Sequence, residues 1–279
     1  MAITNFKPTI WSPAILVNLR EALVYGGLMN RDYEGEIASA GDTVKITSFG
    51  RPATRSYTKN QDISWDLLSD ATRSLTIDQA DYFAFTVDDV DRRQALPGFV
   101  ESSTSEAGFA LAEDVDKYVA ALMVSQGTNA GTKTVSLASN TLYPLFTGLR
   151  TAHKRALTPD QGRWVVGSPE LTAFLLQDAR FINAQAAADA GMALHEGSIG
   201  RIAGFDYMES VNVPETSTTG AVKLISGHQM AGTFADQITE TEAIRLQDQF
   251  GDGIRGLHLY GAKIVRPLNI QYYSVNLDA

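Results

Sequence analysis

The feature that most limits the possible folds is a period of two that runs, with one interruption, from Gly41 to Val87. Val44 and Ile46 alternate with Thr43, Lys45 and Thr47, and a Gly50-Arg51-Pro52 break comes next. The chain turns polar over Tyr57-Thr58-Lys59-Asn60-Gln61-Asp62, then returns through Ile63, Trp65 and Leu67, which alternate with Ser64 and Asp66. Farther on, Leu75, Ile77, Phe83, Phe85 and Val87 take one face, and Thr76, Asp78, Tyr82 and Thr86 take the other. Side chains in a strand point alternately to opposite faces, so the pattern predicts an antiparallel excursion out and back with a turn-rich tip. Hairpin loops inside compact domains run to about 2–5 residues. An excursion over 41–91 therefore has to project from the body of the molecule.

A long helical pattern is the second constraint. From Val100 to Gln126, Ala107, Leu111, Val115, Tyr118 and Leu122 recur at helical spacing, while Glu106, Glu113, Asp116 and Lys117 are expected to face away. Gly127 stops the pattern. At 1.5 Å per residue such a helix spans about 40 Å. Ahead of both features, residues 1–12 read as an irregular arm. Ser12-Pro13 then offers a cap and a first-turn proline for a helix through Ile15, Leu16, Leu19 and Leu23, ended by Gly26-Gly27.

Beyond the long helix, residues 127–139 read as a Gly/Ser/Thr-rich connection, and Asn140 can cap a helix through Leu142, Leu145, Phe146, Leu149 and Ala152. Lys154 and Arg155 suit the negative end of that helix. Arg163-Trp164-Val165-Val166 reads as a buried strand, and Ser168-Pro169-Glu170 opens a helix through Leu171, Phe174 and Leu175. Residues 184–200 are Ala- and Gly-rich and read as loop. Short strands are expected over 202–211, 221–226, 243–250 and 254–274. Runs of strands and helices without strict alternation make the fold class α+β, which excludes a doubly wound nucleotide-binding sheet.

Chemical motifs are scarce. The 279 residues include no cysteine, which removes disulfides, thiolate metal sites and thiol catalysis. Net charge is −9, from 23 basic and 32 acidic residues. The cations are scattered, the densest clusters being Arg92-Arg93 and Lys154-Arg155, so the footprint of a DNA-gripping surface is missing. No stretch approaches the ~18 apolar residues of a membrane helix, and no secretory signal opens the chain. The expectation is a soluble protein made inside a cell, with no membrane partner.

Gly251-Asp252-Gly253-Ile254-Arg255-Gly256 matches G-x-G-x-x-G, but the next residues, from Leu257 to Val265, read as strand instead of the helix that a pyrophosphate site needs. A Gly-rich hairpin turn is the better reading. Asp88-Asp89-Val90-Asp91 lacks calcium-loop spacing and has Arg92 and Arg93 as counter-charges. His153, His195, His228 and His258 stand apart, without ligand spacing, and read as surface or core residues. No catalytic, cofactor or metal residue is assigned, and the chain is expected not to be an enzyme.

Four segments together resemble the major capsid proteins of tailed bacteriophages, a coat fold shared with encapsulins. They are Gly41–Ile46 with Tyr57-Thr58-Lys59; Leu75–Gln79 with Tyr82–Phe85 and Val87–Asp91; Gly197–Phe205 through Ser210 to Pro214; and Arg255–Lys263 with Val265-Arg266-Pro267. The resemblance implies an N-terminal arm (1–40), an extended β-hairpin loop (41–91), a peripheral domain with a spine helix (92–140), an axial domain (141–235) and return strands of the peripheral domain (236–279). It also implies a subunit that self-assembles through pentamers and hexamers into an icosahedral shell, made in the bacterial host cytoplasm and resident in the virion capsid. The shell would enclose the DNA genome without sequence-specific binding. Some relatives carry a scaffolding segment ahead of the coat domain; here the first helix begins near residue 13, so a separate scaffolding protein is expected beside the portal.

On such a loop the apolar side formed by Ile63, Trp65 and Leu67 has little of its own core to cover it. It is expected to contact a neighbouring copy, with Trp65 as anchor; the competing arrangement folds it back on the spine helix. Some relatives cross-link neighbours through a Lys–Asn isopeptide bond. Lys59 is the attractive lysine for that role, with no acceptor matched, and an exposed or salt-bridged Lys59 is the better reading. An encapsulin-like cargo shell is the nearest alternative function, and an α+β enzyme with a dispersed site is the alternative from another class.

Overall fold

The computed structural model describes residues 23–32, 43–49, 54–57, 59–60, 62, 70–88, 99–136, 142–177, 200–216, 221–247 and 250–278. The helix expected from Ser12-Pro13, the Ile63, Trp65 and Leu67 stripe, Asp89 to Arg93, Asn140 and His195 lie outside these residues.

The long helix α1 (Phe99–Gln126) organises the rest. Its apolar pattern is wider than one stripe: Leu111 and Val115 are buried, but so are Ala112, Val119, Ala120 and Met123. The reason is that α1 packs between two sheets. One core cluster joins it to Tyr260, Ala262 and Ile264 on one side and to Trp164, Val166, Val222 and Ile225 on the other. Each such side chain, fully buried, stabilises the fold by about 1.5–3 kcal/mol. Gly127 ends the helix as expected. Its N–H donates to the Met123 carbonyl at 2.8 Å, and a Cβ there would lie 2.4 Å from that oxygen and 2.9 Å from Ile270 Cγ2.

The strands are β1 (Thr43–Phe49), β2 (Asp70–Thr76), β3 (Gln79–Asp88), β4 (Thr128–Ser136), β5 (Arg163–Gly167), β6 (Arg201–Ile202), β7 (Phe205–Glu209), β8 (Glu215–Thr216), β9 (Ala221–His228), β10 (Gly232–Arg245), β11 (Gly251–Ile264) and β12 (Gln271–Asp278). They form a two-stranded ladder β1-β2, a three-stranded sheet β10-β11-β3, and a seven-stranded sheet β4-β12-β9-β5-β7-β6 with β8 on β9. On the face of the large sheet away from α1 lie α2 (Leu142–Arg155) and α3 (Pro169–Gln177). They bury Leu142, Leu145, Phe146, Leu149, Leu171 and Leu175 against Val165, Leu224, Tyr273 and Val275. Ser168 caps α3, its hydroxyl accepting from the Leu171 N–H at 3.3 Å.

The fold departs from local readings of the sequence at several places. The connection expected over 127–139 contains β4, which pairs in parallel with β12; only Val135 of it is fully buried, and so polar an edge strand leaves little periodicity to read. The excursion is not one continuous ladder. β1 pairs with β2 from Thr43↔Thr76 to Phe49↔Asp70, whereas β3 leaves that ladder and pairs with β11 from Asp88↔Gly251 to Gln79↔Tyr260. The final strands divide between sheets: β10 and β11 lie with β3, but β12 runs between β4 and β9. Finally, G-x-G-x-x-G lies within β11 instead of making a turn. A Cβ on Gly256 would meet the Phe83 ring at 2.4 Å and one on Gly251 the Val87 carbonyl at 2.8 Å, so these glycines let β3 and its aromatics approach.

Candidate inter-subunit surfaces

Among the described residues, the β1–β2 hairpin is seated on the small sheet at its root. Val44, Ile46, Leu75 and Ile77 cluster with Ala235 of β10 and Leu259 of β11, while Thr43, Lys45, Ser74 and Thr76 are exposed. Directly beneath, Gly261 has no side chain because there is no room for one: a Cβ would lie 2.4 Å from the Thr76 carbonyl oxygen and 3.0 Å from Ile77 Cα. The Arg73 guanidinium adds a second fastening, donating to the Ile264 carbonyl at 3.0 Å. Farther out, Tyr57 and Lys59 are exposed, and Asn60 takes the left-handed conformation (φ 66°) that asparagine tolerates in turns. Of the four contact candidates, Lys59 is thus on the surface; Ile63, Trp65 and Leu67 lie outside the described residues.

The outer face of the small sheet, beside the hairpin root, is open. Tyr82 is 77% exposed, Leu257 and Ile244 are each more than one-third exposed, and Phe250 stands at the β10–β11 turn, 82% exposed. A shallow groove of about 470 Å³ runs between Tyr82, Ala84, Leu257, Arg255 and Glu242. Its charges are already matched, because Arg255 Nη2 and Nε donate to Glu242 Oε2 at 2.6 and 3.0 Å. Nearby, Arg245 pairs with Asp252 at 3.1 Å. What the face offers is apolar and aromatic area within a neutral rim.

Residues 23–32, expected to be part of an arm and a helix end, are instead built into the core. Leu23, Tyr25 and Met29 are buried against α1, and a single 3-10 turn spans Gly26–Leu28. Asp116, expected to face solvent, is 1% exposed. Its carboxylate accepts from the backbone N–H groups of Val24 at 2.9 Å, Tyr25 at 3.1 Å and Gly26 at 3.3 Å. Burial pushes its pKa up to about 6 against the lowering effect of those three hydrogen bonds. Burial also raises the Tyr25 phenol. Downstream, Asn30 exchanges backbone bonds with Gly232 and Phe234 on β10, and Arg31 pairs with the buried Asp236. One helical acid and one ion pair therefore staple this segment to both α1 and the small sheet. No periodicity in the sequence announces it, since the partner of Asp116 is backbone about 90 residues away.

His153 is buried, with Nε2 2.9 Å from Ser226 Oγ and Nδ1 3.2 Å from Thr158 Oγ1. Ser226 donates onward to the Gln271 carbonyl at 2.9 Å, and Thr158 Oγ1 lies 3.3 Å from Asn269 Oδ1. The network ties α2 to β9 and β12 out of reach of solvent, and burial with the neighbouring Arg163 lowers the His153 pKa to about 4. His258 is buried 3.6 Å from Asp236, and His228 accepts from the Met230 N–H at a 3-10 turn. Among the described residues no three His, Asp or Glu side chains converge as a metal site, and no helix is long and apolar enough to cross a membrane.

A hairpin seated on the body at its root and an open apolar sheet face describe a part made to meet other parts. The profile of a phage capsid protein family matches residues 70–272. The chain belongs to the phage capsid protein family. A chain in a solved structure of Mycobacterium phage Che8 is 33% identical to it, with 90% of each chain covered and a TM-score of 0.77. A chain in the capsid structure of the Cyanophage P-SCSP1u is 18% identical, covering 87% of this chain and 85% of that one, with a TM-score of 0.67. One from a virus-like particle of Pyrococcus furiosus is 12% identical, covering 95% and 98%, with a TM-score of 0.58. The last two likenesses are of fold alone. No curated protein sequence matches this one significantly. The α+β architecture is thus the phage capsid fold, and the capsid protein acts as a shell-forming component of the virion.

Proposed function

We propose that this capsid protein assembles through pentamers and hexamers into a closed icosahedral shell around packaged DNA, in the bacterial host cytoplasm, with a scaffolding protein and a portal as separate partners. The carrying observation is the β1–β2 hairpin: a two-stranded ladder that, among the described residues, meets its own body near its root is marginal alone and gains its cover from a neighbour. Many modest contacts of this kind become jointly strong when a symmetric shell closes. Catalysis has no part in this reading. The virus-like particle match supports a shared shell fold, while the 33% identity to the phage Che8 chain favours a phage shell over a cargo compartment.

The test is assembly itself. Purified protein at near-physiological salt, with scaffolding protein supplied, should give hollow particles, or pentamers and hexamers, by light scattering and negative-stain microscopy. A chain that stays monomeric throughout and is not the wall of its own particle overturns the reading.

Ile63, Trp65 and Leu67 are the proposed anchors of the hairpin on the neighbouring copy, and the exposed Lys59 is a further proposed contact. Trp65→Ala should cost about 2–4 kcal/mol wherever that ring is buried. Shell yield should collapse while the isolated variant keeps its circular dichroism and melting temperature. A monomer melting several degrees lower would place Trp65 in the subunit's own core. No change in either would make it a plain surface residue.

A further inference from the structure

We propose that Gly261 is the seat that fixes the take-off direction of the β1–β2 hairpin, and that shell assembly depends on this direction. The inference rests on the reading of the hairpin as an inter-subunit element, and adds to it the residue that aims it.

Three observations carry it. β1 and β2 pair with each other and with no strand of the small sheet, so no backbone ladder orients the hairpin on the body; packing has to. The packing is close at Gly261, opposite Ala235 in the sheet register, where the Thr76 carbonyl and Ile77 Cα rest almost on the strand. The neighbours at that point are hairpin backbone, which cannot rotate away as a side chain can. Arg73, bonded to the Ile264 carbonyl at 3.0 Å, is the second point of attachment. Two fixed points on a ladder define its direction, and its free part then carries any error outward. A methyl at 261 would stand 2.4 Å from Thr76 O, well inside van der Waals contact, so the root has to lift or tilt. The seven residues of β2, from Thr76 to Asp70, span about 20 Å, and a small tilt at the seat becomes a displacement of several ångströms at the far end.

A stability effect alone is separable from a directional one by comparison with Gly227. There an added Cβ also collides, 2.6 Å from the Trp164 ring, but in the large sheet and away from the hairpin. The chain contains no cysteine, so Ser56→Cys and Ala121→Cys, both at exposed positions, take spin labels cleanly on the hairpin and on α1. With Gly261→Ala, the distance distribution between these labels should shift in the folded monomer, and particles should be lost or misshapen at a folded concentration where Gly227→Ala still assembles. Wild-type particles from Gly261→Ala overturn the proposal, as does equal loss of particles from Gly227→Ala at equal stability. Should Gly261→Ala fail to fold, Arg73→Ala removes the second attachment without adding an atom. It should broaden the distance distribution and lower particle yield at least several-fold; an unchanged distribution with full yield overturns the proposal. Failure of the unsubstituted chain to assemble would count against the shell reading instead.

Discussion

At the scale of single residues, two buried ionisable groups carry opposite pH dependence. Asp116 has its pKa raised from 3.8 to about 6, so the folded state holds the proton more tightly than the unfolded chain. Its contribution to stability is fully present below about pH 4 and is lost as pH rises through about 6. His153 has its pKa lowered from 6.5 to about 4. Its contribution is present above about pH 6.5 and is lost as pH falls through about 4. At about 1.4 kcal/mol per pKa unit each amounts to roughly 3 kcal/mol, and the two nearly cancel between pH 4 and 6.5. Urea midpoints measured across that range should therefore show opposite slopes once either group is removed. Asp116→Asn should lose stability on acidification, and His153→Gln should gain it; parallel slopes for the two variants would refute the assignment. Neither role was legible in the sequence. An aspartate between charged helical neighbours reads as solvated, and a lone histidine reads as packing. Only the tertiary fold brings the 24–26 backbone to one and Ser226 to the other.

At the scale of elements, legibility followed periodicity. The long helix and the Ser168-capped helix were readable because their burial repeats along the chain itself, and the Arg163–Gly167 strand because it is a short run buried at every position. Partnership was not: Leu75 to Val87 largely alternate, yet the first part belongs to a hairpin and the second to a sheet closed by residues more than 160 positions away. β4 escaped for a related reason, since its single buried side chain, Val135, leaves no alternation to see. The same logic gives the terminal strand more weight than its position suggests. β12 holds β4 on one side and β9 on the other, and Val275 is fully buried. A chain truncated before Gln271 should lose the cover of β9 and of α2 together and be recovered only as insoluble protein. Val275→Ala should remain folded, with a loss of about 2 kcal/mol in a urea titration. Soluble, cooperative unfolding of the truncated chain would show that the large sheet closes without β12.

For the whole molecule, the decisive quantity is how its cations are partnered. The sequence has 23 basic residues in a chain of net charge −9, and many of the exposed ones face this protein's own carboxylates. Arg255 pairs with Glu242 at 2.6 Å, Arg245 with Asp252 at 3.1 Å, Arg201 with Asp206 at 3.2 Å and Lys117 with Glu113 at 2.5 Å, and Lys154 pairs with Asp160. Exposed pairs of this kind add at most about 1 kcal/mol each to stability. Their larger effect is on polyanions, because a phosphate that recruits such a cation must first displace its partner. DNA binding draws its strength from releasing counterions at clustered free cations, and its affinity falls with salt in proportion to the phosphates neutralised. The isolated subunit should therefore bind duplex DNA no more tightly than about micromolar at low salt, with a shallow salt dependence, as the proposed DNA-enclosing wall requires. Fluorescence anisotropy with a labelled duplex measures both quantities. Sub-micromolar affinity with a steep salt slope would mean that a cationic surface forms despite these pairs, and the picture of a passive wall would fail. Glu242→Gln, which releases Arg255 from its partner, should tighten binding only slightly, by less than about tenfold, since one phosphate contact contributes a salt slope of about one.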